Sequence, residues 1–203
     1  MVVRQIRVGS DNFSYLIHDR ETLEAALVDP GFEVSEALGI INDEGLDLKY
    51  VINTHHHGDH TAANRTVIKE TGAKLVASEE DGANLMDKVD LHVWEGDELS
   101  LGCVTLKFIG APGHTPGGLC IIVEDEFLLT GDTLFINDCG RCDLAGGSLS
   151  DMFDTLQRIK TLDASLVVFP GHDYGPRPYD TLGNQKRTSG VLLAKDLKEF
   201  SKL

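Results

Sequence analysis

The hydrophobic pattern changes period several times along the chain, and each change delimits an element. "FSYLIH", Phe13–His18, and "AALVD", Ala25–Asp29, are short strand-like runs, the second stopped by the turn pair Pro30-Gly31. Together they predict a β-meander. From Glu33 to Asp43, Val34, Leu38 and Ile41 recur at helical spacing, and "KYVIN", Lys49–Asn53, follows as a β-branched run of the kind buried on both faces. Ala62, Ala63, Val67 and Ile68 predict a helix over Thr61–Glu70, and "AKLVAS", Ala73–Ser78, predicts the next strand.

The second half repeats this alternation. "VTLKFIG" ends at Gly110, "GLCIIVED" turns near Asp125, "EFLLTGD" ends at Asp132 and "SLVVFPGHD" ends at Asp173. A helix is predicted from Ser150 to Leu162 with Ser150 as its cap, and the tail after Thr181 reads as mostly polar helix. Strands and helices thus arrive twice in similar order, which predicts two β-rich halves packed face to face beneath outer helices. No linker or repeat interrupts them, so residues 1–203 are read as one domain.

Composition narrows the function classes. The formal net charge of -15 repels phosphate backbones and anionic surfaces, which argues against a nucleic-acid or membrane partner and fits a metal-binding protein. The longest apolar runs fall far short of the roughly 18 residues of a membrane span, the opening "MVVRQIRVGS" has no apolar signal region, and four cysteines are few for a disulfide framework. A cytoplasmic location is the expectation. Cys103 and Cys120 lie in apolar runs and are read as small core residues. Cys139 and Cys142 form a lone CxxC with no second pair and no thioredoxin-like context, which leaves a redox or zinc role unsupported.

The chemistry concentrates in "THHHGDH", Thr54–His60, where four of the eight histidines and an aspartate fall within six positions. In extended chain, His55 and His57 share a side and His56 faces away. Gly58 is expected to permit a sharp turn that aims Asp59 and His60 back at the same cavity. His114, Asp132 and His172 each follow an apolar run and sit beside glycine, so they can project from strand ends into a pocket. Burying so many titratable groups together without an ion leaves them desolvated and poorly paired, at a cost of several kcal/mol by rough estimate, whereas coordination satisfies them at once. Metal binding is the expectation. His18 and His92 are read as ordinary hydrogen-bonded residues.

With Gly113-His114-Thr115, Thr130-Gly131-Asp132-Thr133 and Gly171-His172, the "THHHGDH" run resembles the motif set of the metallo-β-lactamase-fold hydrolases, over nearly the whole chain. "GDTLF" and "CGR" look most like the glyoxalase II (hydroxyacylglutathione hydrolase) branch. The resemblance implies an α+β fold, a four-layer αββα sandwich with the site at one edge of the two sheets. It implies that His55, His57 and His114 hold one divalent ion, that Asp59, His60 and His172 hold a second, and that Asp132 bridges them. The nitrogen and oxygen ligand set suits Zn, Fe or Mn. The implied reaction is hydrolysis of a small-molecule thioester on a thiol carrier, with Asp59 also orienting the nucleophile.

Arg141, which matches the arginine of the family's "GCGR" motif, and Tyr174 are the expected substrate contacts, with Lys186 and Arg187 as further cations able to hold a substrate carboxylate. Glyoxalase II proteins carry a helical C-terminal domain that contacts glutathione, whereas 31 residues follow His172 here. "GRCD" and "GHDY" are in addition similar to the persulfide dioxygenase relatives, in which positions matching His55, His114 and Asp132 hold a single Fe(II). That second reading is an iron-dependent sulfur dioxygenase. The length and the acidic charge do not match the nucleases of this fold, and the Asp59, His60 and Asp132 set differs from that of its β-lactamases. No sequence feature speaks to assembly.

Overall fold

In the computed structural model, which describes residues Met1–Leu203, twelve strands form two six-stranded sheets. The first sheet runs, in spatial as in chain order, through β1 (Val2–Val8), β2 (Asn12–His18), β3 (Glu24–Val28), β4 (Asp47–Ile52), β5 (Lys74–Ala77) and β6 (Leu91–His92). Its first three strands are the antiparallel meander; the rest join in parallel. The second sheet holds β7 (Glu98–Leu101), β8 (Val104–Gly110), β9 (Leu119–Val123), β10 (Phe127–Gly131), β11 (Val167–Pro170) and β12 (Asp180–Thr181), again in chain order. β8, β9 and β10 pair antiparallel, and β10 pairs parallel with β11.

Period-two alternation divides the apolar residues of each strand between two cores, which explains the continuous apolar runs. In β2, Tyr15 and Ile17 face the other sheet while Leu16 faces outward; in β10, Leu129 faces inward and Leu128 outward. The inward set, with Phe108 and Ile121, fills the space between the sheets. Outside the first sheet, Leu16, Leu27 and Leu75 are covered by Ala37 and Ile41 of α1 (Ser35–Asp43) and by Val67 of α3 (Asn64–Thr71). Outside the second, Cys120, Leu128 and Val168 are covered by Met152, Leu156 and Ile159 of α5 (Leu149–Ile159). The layers are therefore helix, sheet, sheet, helix.

Several expectations need correction. Val2–Val8, a strand not anticipated, pairs along its whole length with β2. The helix expected over Thr61–Glu70 is two, α2 (Gly58–Thr61) and α3, interrupted at Ala62-Ala63. The cap of α5 is Ser148, whose hydroxyl accepts from Asp151 N, and not Ser150. Cys103 is exposed in the turn between β7 and β8, while Cys120 is buried as expected. The tail is amphipathic: α6 (Leu182–Thr188), α7 (Gly190–Leu193) and α8 (Leu197–Phe200) bury Leu182, Leu192 and Phe200 against the outer core of the second sheet. The turn near Asp125 is as expected, with Glu124 and Asp125 at φ 52° and 54°, the paired left-handed conformation of a tight hairpin. No helix is long and apolar enough to cross a membrane.

This topology selects the site edge. β4 lies parallel to β3 and β5, and β8, β10 and β11 point the same way within the second sheet, so the loops leaving their carboxyl ends emerge together. Leu119 N donates to Thr54 O at 2.8 Å and Phe13 N to Gly171 O at 2.8 Å, which locks the two sheets at that edge.

Candidate metal centre

Seven side chains meet at this edge. His55, His57 and His114 form one group able to hold a cation and Asp59, His60 and His172 another, with the ligand atoms of each group lying within 4.8 Å of one another. Asp132 stands between them: its carboxylate oxygens lie 3.4 Å from His60 Nε2, 3.3 Å from His172 Nε2, 3.5 Å from His114 Nε2 and 4.0 Å from His55 Nε2. The peptide around it is packed without room for side chains. A Cβ on Gly140 or Gly171 would collide with Asp132 itself, and Gly131 has φ +48°, a left-handed conformation that glycine adopts without strain.

Elements on both sheets orient the imidazoles. His114 Nδ1 lies 2.7 Å from the Arg141 carbonyl, which fixes that nitrogen as the donor and leaves Nε2 facing the cluster. His60 Nδ1 lies 3.3 Å from Asp29 Oδ2, and the same carboxylate accepts from Thr54 N at 2.8 Å and Thr54 Oγ1 at 2.6 Å. Thr54 Oγ1 in turn is 3.1 Å from His55 Nδ1. Asn12 Nδ2 donates to Asp59 Oδ2 at 2.9 Å. Asp81, almost fully buried, accepts from His56 N, Gly117 N and Thr115 Oγ1 at 3.1, 2.9 and 2.7 Å, tying the "HHHGDH" loop to the "GHT" loop. His56 Nδ1 is 3.2 Å from Asp81 and takes no part in either group, as expected.

The protein's own groups leave the cluster incompletely paired. His55 Nε2 and Asp132 Oδ1 are buried without a hydrogen-bond partner, and pairs of imidazole nitrogens face each other at 2.9 Å (His57 Nδ1 and His114 Nε2) and 3.2 Å (His60 Nε2 and His172 Nε2). A cavity of about 10 Å³ lies behind Thr54, His55, His114 and Asp132, about the size one water-sized sphere occupies. Converging lone pairs, orphaned buried acceptors and all-nitrogen-and-oxygen donors fit divalent cations.

Electrostatics divide the set. Burial, followed by the charges of His60, His114 and His57, holds His55 well below the usual imidazole range, so it stays neutral with a free lone pair. His57 is lowered by burial first, then by the charges of His114 and His56. Burial also acts on His172, yet the hydrogen bonds to Asp132 and Asp59 outweigh it and raise that imidazole to about 10. For Asp59 and Asp132, burial is the largest influence and favours protonation; the histidines around them outweigh it and both stay ionised. Without a cation, then, imidazolium and carboxylate neutralise each other.

The expected substrate contacts fare unevenly. Tyr174 stacks on His172 with centroids 4.6 Å apart and planes 9° from parallel, and Phe135 meets its edge. Arg141 brings its backbone carbonyl to His114, while its largely exposed guanidinium is held by both oxygens of Asp143 at 2.7 and 2.8 Å. Lys186 Nζ donates to Leu162 O and Arg187 to Asn184 Oδ1, so both heads are engaged on the helical layer. The chain turns at Gly58 from extended to helical and aims Asp59 and His60 at the cluster as expected, but the φ of Gly58 lies outside the left-handed region and a Cβ there would meet open space, so the turn does not require glycine. Asp29, Asp81 and Asn12 escaped the sequence reading; the only signal for Asp29 was its position before Pro30-Gly31 at the end of a strand.

The model of the family described as the Metallo-beta-lactamase superfamily matches residues 8–172. The chain belongs to the metallo-β-lactamase superfamily. Within that superfamily it is 34% identical over 200 residues to "Persulfide dioxygenase ETHE1, mitochondrial" of Mus musculus, covering 96% of this chain and 76% of that protein. It is 36% identical over 173 residues to the hydroxyacylglutathione hydrolase of Rhodospirillum rubrum, covering 85% of this chain but only 66% of that one. The crystal structure of ETHE1 from Myxococcus xanthus superposes with a TM-score of 0.89 at 33% identity, covering 98% of this chain and 88% of that chain. Both branches anticipated from the motifs are thus represented among its relatives, and the αββα sandwich is the superfamily fold.

Proposed function

We propose that the protein is a metal-dependent hydrolase that cleaves a small-molecule thioester of the hydroxyacylglutathione type, or a related ester, with two divalent ions drawn from zinc, iron and manganese. One observation carries this reading: Asp132 lies within reach of histidines from the group His55, His57 and His114 and from the group Asp59, His60 and His172, so the donor set suits two ions sharing a carboxylate. In this reading His55, His57 and His114 hold one ion, Asp59, His60 and His172 the other, and Asp132 both. The ions supply Lewis acidity toward a carbonyl and toward water.

The remaining work falls to the chain. Asp59 is more solvent-open than Asp132 or Asp29, and Asn12 and His172 on its Oδ2 fix its orientation. Its remaining acceptor capacity can align the attacking water. Neutral His55 and His57 keep their lone pairs for coordination. Tyr174, seated over His172 at the rim, offers a ring face and a phenol to the substrate. A substrate carboxylate would reach Arg141 only by displacing Asp143, an exposed pair of small intrinsic stability. A thiolate leaves with little help from an acid, so a thioester suits a site with no dedicated general acid.

A second reading, a persulfide dioxygenase holding a single iron on His55, His114 and Asp132, is favoured by the match to the Mus musculus protein over 96% of this chain. Metal content measured together with two assays separates them. Hydrolysis of S-lactoylglutathione without oxygen, with two ions per chain, supports the hydrolase; one iron per chain with oxygen uptake dependent on glutathione persulfide overturns it.

A further inference from the structure

Against the outer side of the ligand loop, at His56 and Gly58, lies a cavity of about 470 Å³, within the range of sites that take drug-sized organic groups. Its walls come from the turn after β3 (Phe32), the ligand loop itself (His56 and Gly58), α3 (Arg65) and the loop after α4 (Glu79–Gly82), which supplies Met86 and Asp87. Two features of this wall have no structural explanation. Phe32 and Met86 are large apolar side chains left 68% and 91% exposed, on the same cavity. Gly58 occupies a helical first-turn position that any residue can adopt, in open space, so neither backbone conformation nor packing calls for glycine there.

We propose that this cavity receives an uncharged apolar arm of the substrate, and that the missing side chain at Gly58 is the passage joining it to the metal cluster. The inference rests on the hydrolase reading for the reaction it would serve. Gly58 sits in the backbone between His57 and Asp59, one candidate ligand from each group, so an arm passing over it leaves the scissile carbonyl beside both. Phe32 is tied to the same point, because Gly31 packs against the Asp59 carbonyl where a Cβ would collide. The one ion pair on the wall is made within it: Arg65 Nε donates to Asp87 Oδ1 at 3.0 Å. An arm carrying its own charge would have to displace Arg65 or Asp87 from its partner, whereas an apolar arm covers Phe32 and Met86 without breaking a contact.

Met86 is one of three methionines, so its methyl resonance is a direct reporter in protein labelled at the methionine methyls. The probe is N-acetyl-S-hexylcysteamine, a thioether that cannot be hydrolysed. It is expected to shift the Met86 methyl signal, to bind about tenfold more tightly than its S-methyl analogue, and to lose about that factor in Gly58→Leu and in Met86→Ser. An unmoved Met86 signal, or equal affinity in all three proteins, overturns the proposal. Two thioester series, lengthened on the acyl or on the thiol side, then tell which arm the cavity takes: kcat/KM rises along one series only, and a rise in neither overturns the proposal. If no thioester is hydrolysed while the hexyl thioether still reports at Met86, the hydrolase reading fails and the cavity assignment stands.

Discussion

The segments His55–His60 and Cys139–Cys142 both crowd metal-ligating side chains into a few positions, yet the fold uses them differently. The histidine loop leaves the buried end of β4, and Asp29, Asp81 and Asn12 turn its groups toward partners contributed by the other sheet. The cysteine loop lies just beyond Asp132, but its two thiols pack against the apolar core under α5 and remain free. Burial, helped by Cys142 and Asp138, pushes the Cys139 thiol up to about 12, and burial with Asp143 pushes Cys142 to about 11, so neither is a thiolate at neutral pH. Ligand chemistry close in sequence makes a site only where supporting groups converge its lone pairs and leave them unpaired.

The sharpest way to break this contrast is at Asp132. Asp132→Ala removes the carboxylate shared by both groups and is expected to lower kcat/KM on the order of 10³-fold and to reduce the bound metal, read by steady-state kinetics and elemental analysis. Wild-type metal content in that variant would separate Asp132 from the centre.

Asp81 tests whether the two ligand loops depend on their tie. Asp81→Ala orphans His56 N, Gly117 N and the Thr115 hydroxyl, and is expected to cost about 2–4 kcal/mol in urea unfolding. A loss under about 0.5 kcal/mol would mean the loops stand without it. Asp29→Asn keeps the shape but weakens the acceptor for His60 and Thr54; metal affinity, measured by chelator competition, should fall about tenfold. The smallest effect belongs to the other loop. Cys139→Ser with Cys142→Ser should keep the metal content of the wild type and change stability by about 1 kcal/mol or less, and lost metal there would erase the distinction drawn between the segments.

The sequence carried most of the ligand set because histidine clustering after an apolar run is rare without a cause. It carried the two-sheet architecture because doubly buried strands such as Leu27-Val28 and Leu128-Leu129 have no polar face. Asp29 and Asp81 were invisible for a physical reason: their partners are backbone amides, hydroxyls and one imidazole brought from 25 to 36 positions away, and a single aspartate near a turn looks like any other turn former. The amphipathic tail was masked because α7 and α8 are one turn each, too short to display a 3.6-residue period. That the turn at Gly58 does not need glycine is invisible in the sequence, because only the backbone conformation and the empty space around it remove that explanation.

Elemental analysis of protein purified without added metal tests the central claim most directly. Divalent ions bound in stoichiometric amount, two per chain, are expected, because the converging imidazoles and carboxylates leave buried acceptors without a partner that bound cations would satisfy. Protein that carries no divalent metal, and takes up none when incubated with zinc, iron or manganese, would contradict it.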